Sequence, residues 1–109
     1  MSTAMFLAWT SPVSVEAEDE FNEWYTNTHV PQVREHVPGI TDVQRYTVLG
    51  SGGESGPRRY VCCYMLEGSD PAAAATALAA ASKNGLLDMT PAMDMTGMAP
   101  EVHFLTPVE

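Results

Sequence analysis

Short apolar runs bounded by turn-forming residues alternate along the chain with two stretches of helical spacing. Ala4 to Thr10 (AMFLAWT) is apolar and aromatic, as in a strand covered on both faces, and Ser11-Pro12 breaks it. Ser14 is placed to cap a helix whose first turns carry Glu16, Glu18, Asp19 and Glu20, where the helix dipole favours negative charge. Phe21, Trp24, Tyr25 and Thr28, with a second rail through His29 and Val33, follow amphipathic spacing and give this helix an aromatic face. Pro31 falls inside the pattern and leaves the carbonyl of Asn27 without its usual donor, which predicts a kink or a tightened turn beside His29.

Pro38-Gly39 ends that helix. Ile40 to Leu49 reads as a second strand, Gly50 to Pro57 as a flexible hairpin connection, and Arg58 to Leu66 as a third strand. In the third strand Tyr60, Cys62 and Tyr64 share one face and Val61, Cys63 and Met65 the other; the pattern leaves open which faces a ligand. Ser69 or Asp70 caps a second helix, with Pro71 at its first position and an alanine-rich body to Ser82, stopped by Asn84-Gly85. Leu86 to Pro100 carries Met89, Met93, Met95 and Met98 among prolines, a pliable apolar segment suited to a lid or to plain packing. Glu101 to Thr106 is a last strand, with His103 and Leu105 opposed to Val102 and Phe104.

The resulting order, βαββαβ with a hairpin in the middle, predicts a ferredoxin-like α+β domain over residues 1–109: a four-stranded antiparallel sheet with two helices on one face. The strands are apolar on both faces, so the bare face calls for the sheet of a second copy and a homodimer.

Composition narrows the partners. With 109 residues, 45% apolar and 17% charged, the chain suits one compact domain rather than a disordered tail. Five basic against fourteen acidic residues give a net charge of −9, which disfavours nucleic acid and anionic membranes. No apolar run reaches membrane-spanning length and no charged leader precedes the first strand, so a cytoplasmic location is expected. Cys62 and Cys63 are adjacent and read as reduced thiols rather than a disulfide, and three scattered histidines give no metal-ligand spacing; neither metal nor cofactor is expected.

The run Phe21-x-x-Trp24-Tyr25-x-x-x-His29-Val30-Pro31, with Val37-Pro38-Gly39-Ile40 and Arg45-Tyr46 after it, resembles the dimeric α+β barrel superfamily, and within it the EthD-like, muconolactone-isomerase-like and antibiotic-biosynthesis-type small proteins. The resemblance implies homodimers whose sheets close into a barrel, with a small-molecule pocket between each sheet and its helices. It implies acid/base work for His29, with Tyr46 or Tyr25 stabilising oxyanion charge. Trp24, Phe21, Tyr60, Tyr64, Cys63, Met89, Met93 and His103 are the further candidates for contact with the ligand, His103 facing either the pocket or the barrel side. His36, before the Pro-Gly turn, is expected to be exposed.

The expected activity is a cofactor-independent isomerase, cyclase or decarboxylase of a small aromatic or polyketide-like compound. A cofactor-free monooxygenase of phenols and a non-catalytic ligand-binding or stress-response dimer are the alternatives. A haem protein is a weaker one, since the sequence does not place an axial histidine.

Overall fold

The computed structural model describes residues 3–53, 55–67 and 70–108. Strands β1 (Ala4–Thr10), β2 (Ile40–Thr47), β3 (Tyr60–Leu66) and β4 (Glu101–Leu105) form one sheet in the order β2-β3-β1-β4. All three pairings are antiparallel, as the ferredoxin-like order requires. Burial alternates residue by residue along β1 and β3. Ala4, Phe6, Ala8 and Thr10 lie under the helices with Tyr60, Cys62, Tyr64 and Leu66, while Met5, Leu7, Trp9, Val61, Cys63 and Met65, each half-buried, line the other face, which no helix among the described residues covers. The core is centred on Phe6, which stacks on Tyr64 at 4.3 Å and on Phe104 at 4.8 Å.

The first helical arm has three parts: α1 (Glu18–Trp24), a π-helical turn (Tyr25–His29) and α2 (Val30–His36). The amide of Val30 bonds the carbonyl of Tyr25, five residues back. The disturbance expected from Pro31 is therefore a widened turn, not a tightened one: the helix absorbs the missing Pro31 donor by taking in an extra residue. Ser14 accepts from the amide of Ala17 at 3.2 Å in the turn before α1, whose own N-cap residue, Ala17, contributes no side-chain bond.

The second arm is α3 (Pro71–Lys83). Asp70 caps it by accepting from the Ala73 amide at 3.1 Å, and Pro71 opens it; Ser69 lies outside the described residues. Gly85 closes it at φ 71°, with the Leu86 amide returning to the Ala81 carbonyl. Gly39, at φ 88°, makes the turn into β2, where a Cβ would stand 3.2 Å from the carbonyl oxygen of Glu67.

A β-bulge between Ile40 and Asp42 decides what β2 shows to the helices. Ile40 pairs with Leu66 on the covered face, but Asp42 pairs with Met65 on the open one. The extra residue inverts the alternation, so Val43 and Arg45 point under the helices and Tyr46, paired with Val61, does not.

Candidate functional site

A cavity of about 210 Å³ lies between the covered sheet face and the helical layer. The sheet contributes Phe6, Ala8, Thr10 and Tyr64, the first arm Tyr25, His29 and Val33, and β4 Val102. Leu78 and Ser82 of α3 line it as well, and Leu87, Met89, Met93 and Met95 bring the segment after α3 to its wall. Among the described residues no aspartate, glutamate, lysine or arginine lines it, and His29 is its one group that ordinarily titrates near neutrality.

The π turn positions His29. Residues five apart on an α-helix point about 140° away from each other, whereas one widened turn brings them side by side. Trp24 and His29 accordingly stack with ring centroids 4.7 Å apart and planes 25° apart. The rings of Tyr25 and His29 meet edge to face, with centroids 4.8 Å apart. Nδ1 of His29 is buried and has no hydrogen-bond partner among the described residues. Burial, with the positive charge of Arg45 second, lowers the pKa of His29 to about 4, so the ring is neutral at physiological pH.

Arg45, brought inward by the bulge, was not among the candidates read from the sequence. Its guanidinium carbon lies 4.5 Å from the centre of the Tyr25 ring and 5.2 Å from that of Tyr60. It donates to Asn22 Oδ1 at 2.9 Å and to Thr26 Oγ1 at 3.2 Å, and no carboxylate pairs with it among the described residues. Arg45 thus places a positive charge behind Tyr25 without entering the cavity.

The hydroxyls of Thr10, Tyr25 and Tyr64 are buried at the sheet side of the cavity. None completes a hydrogen bond of normal geometry among the described residues, although Tyr25 and Tyr64 influence each other's ionisation. Burial drives both phenols above their ordinary range and pushes the neighbouring Cys62 thiol up to about 11, which leaves it inert at neutral pH.

The other candidates divide clearly. Met89, Met93 and Tyr64 line the cavity. Trp24 acts on it only through His29, and Phe21 is wholly buried against Trp24, Tyr25 and Tyr60. Tyr60 lies under the helices but away from the cavity, donating to Glu18 Oε2 at 2.7 Å and accepting from Asn22 at 3.1 Å.

Tyr46, Cys63 and His103 are not brought to His29. Tyr46 is 53% exposed and displaced by the bulge. Cys63 and His103 share the open face with Leu7, and His103 packs against Trp9 at 5.3 Å and lies 3.5 Å from Glu101. Val102 takes the cavity side of β4 instead. Thr10 could have been found from its parity with Phe6 and Ala8; Arg45 carried no signal beyond its place beside Tyr46. Among the described residues no three His, Cys, Asp or Glu side chains converge as a metal site, and no helix is long and apolar enough to cross a membrane.

Neither family models nor curated proteins match the chain. Solved structures do. An EthD family protein from Bacillus halodurans superposes with a TM-score of 0.58 at 17% identity, over 99% of this chain and 100% of that one. A dimeric ferredoxin-like protein from an uncultured marine organism gives a TM-score of 0.62 at 11% identity, over 100% and 98%. This chain has their ferredoxin-like α+β fold. A third structure of that fold, the monooxygenase from the gene ActVA-Orf6 of Streptomyces coelicolor in complex with nanaomycin D, gives 0.55 at 18% identity, over 99% and 89%. At these identities the likeness shows the fold and carries no reaction with it.

Proposed function

We propose that the protein is a homodimeric enzyme that moves a proton on an uncharged aromatic or polyketide-like molecule, with His29 as the base and without a cofactor. The observation that carries this reading is a neutral imidazole, with an unpartnered Nδ1, set in an otherwise apolar cavity free of lining charges. Such a cavity favours a neutral ligand, and its volume suits one or two rings.

An imidazole whose pKa is about 4 is a weak base on its own. An enolate or phenolate formed beside it compensates the burial of the imidazolium, so transfer to the ring is favourable only from a bound, acidic substrate. The proton leaves a carbon or hydroxyl of the ligand for the ring nitrogen and returns to another ligand atom, which completes an isomerisation or cyclisation. A decarboxylase is less well supported, because no lining cation holds a carboxylate. Tyr25, expected from the resemblance to stabilise an oxyanion, acts here as a positioning residue, its ring against both His29 and Arg45. The uncovered apolar face supports the dimer, as does the dimeric neighbour of the same fold.

The monooxygenase neighbour favours a second reading, in which the cavity holds a phenol whose carbanion reacts with oxygen to give a quinone and water. Uncharged phenols, naphthols and polyketide-like ketones, screened for binding and turnover with an oxygen electrode in place, test both. Turnover without oxygen uptake supports the proton-transfer reading, stoichiometric uptake supports the second, and binding without any turnover leaves a non-catalytic ligand-binding dimer.

A further inference from the structure

The segment over residues 86–100 is fastened unevenly. Its later part is tied to the sheet end: Val13 donates to the Ala92 carbonyl at 2.7 Å, Asp94 to the Ser11 carbonyl at 2.8 Å, and the Arg59 guanidinium to the carbonyls of Met98 and Ala99 at 3.2 Å. Its earlier part carries Leu87 and Met89 into the cavity wall. Among the described residues, that part reaches the first helical arm by hydrogen bonds only through Asp88. The Asp88 amide donates to Gln32 Oε1 at 2.7 Å, Gln32 Nε2 donates to Asp88 Oδ2 at 2.9 Å, and the indole N–H of Trp24 donates to the Asp88 carbonyl at 3.2 Å.

We propose that Gln32 and Asp88 form a latch on the cavity mouth, and that the closed latch positions His29 through Trp24. Trp24 is common to both halves of the device, since its N–H is held by Asp88 while its ring lies flat on the imidazole. The three bonds are exposed, so water can replace each of them and opening is inexpensive. Met89 and Met95 line the cavity while remaining 58% and 52% exposed, flexible side chains at the place where a ligand would enter. Opening draws Trp24 off the histidine; closing restores the stack and shuts out water. The entry role rests on the reading of the cavity as the ligand site, but the coupling of Asp88 to His29 does not.

Gln32→Glu sets a second carboxylate against Asp88, and adding Asp88→Asn returns a donor to meet it. By NMR, Gln32→Glu is expected to speed hydrogen exchange of the residue-88 amide about tenfold, the scale of losing one bond and gaining a like-charge contact. It should also raise the titration midpoint of His29 toward its ordinary value as Trp24 leaves its face, and the double variant should reverse both changes. Release of the neutral probe 1-naphthol should quicken and recover in parallel. Unchanged exchange in Gln32→Glu, or no recovery in the double variant, overturns the latch; faster exchange with His29 unmoved overturns its positioning role. If 1-naphthol fails to bind the wild-type protein, the ligand reading of the cavity falls by itself, and exchange and titration still decide the latch.

Discussion

The two faces of this sheet are built from similar side chains and do different work. Along β3 the neighbours Cys62 and Cys63 show the contrast at its smallest: one is 1% exposed beside two phenols and a guanidinium, the other lies on a face that no element covers. On the covered face the helices arch over apolar side chains and leave a cavity with polar atoms at its base. On the open face the apolar rows of Met5, Leu7, Trp9, Val61 and Met65 have no such arch. Apolar strand residues specify burial but not by what; the crossover helices decide that one face is roofed over a cavity and leave the other bare.

The sharpest break in the comparison comes from paired substitutions on the two faces. In a folded dimer, His29→Gln should lower turnover by about 10²- to 10⁴-fold, the usual worth of a general base, with ligand affinity within about tenfold. Tyr46→Phe, outside the cavity, should leave turnover within about twofold. Steady-state kinetics on both variants checks this, and a larger loss for Tyr46→Phe than for His29→Gln would put the chemistry on the open face. Next in size, Leu7→Lys buries an ammonium at the centre of the proposed dimer interface, at a cost of several kcal/mol in each copy. Light scattering should then report the 11.8 kDa chain mass where the wild type gives about twice that value. A wild-type monomer would remove the barrel, and an unaffected dimer would place the interface elsewhere.

Acid stability sharpens the covered side further. Between pH 6.5 and about 4 the unfolded chain protonates His29 while the folded chain does not, so this group costs stability as the pH falls through that window, by up to about 3 kcal/mol. Above pH 6.5 it is neutral in both states and contributes nothing to the slope. Denaturant titrations of wild type and His29→Gln across the window should diverge by that amount. Asp94, held below its ordinary range by the amides of Met98, Thr96 and Gly97, titrates in both proteins and drops out of the difference. The smallest effect expected is that of Pro31→Ala. It supplies the missing amide, holds or raises stability by about 1 kcal/mol, and loosens the Trp24–His29 stack as the helix regains α geometry. Lost activity at an unchanged or higher melting temperature supports the positioning role, and unaltered turnover counts against it.

These contrasts also explain what could be read in advance. Element order, Asp70 as cap, the Gly39 and Gly85 turns and the two-faced strands follow from local patterns that depend on few neighbours. His29 was legible because helical spacing and a proline coincide there. Tyr46 was misplaced because one bulged residue near Ile40 reverses the parity of everything after it, and a bulge in a polar edge strand leaves no mark in the hydrophobic pattern. The π turn was half legible: the absent Pro31 donor announces a defect, but its sense depends on the Trp24–His29 contact formed after folding.

The widened turn also makes the placement of the histidine a matter of counting. A π turn carries one residue more than the α turn it replaces, so deleting a single residue from Thr26–Thr28 would let the whole arm run as one regular helix. Trp24 and His29 would then stand four apart on that helix, about 40° from each other and on the same face. Every residue with a proposed role would still be in the chain, and Trp24 would face the imidazole across one ordinary α turn. Lineages of this fold could therefore gain or lose the π turn through an indel of one codon and keep the stacked imidazole.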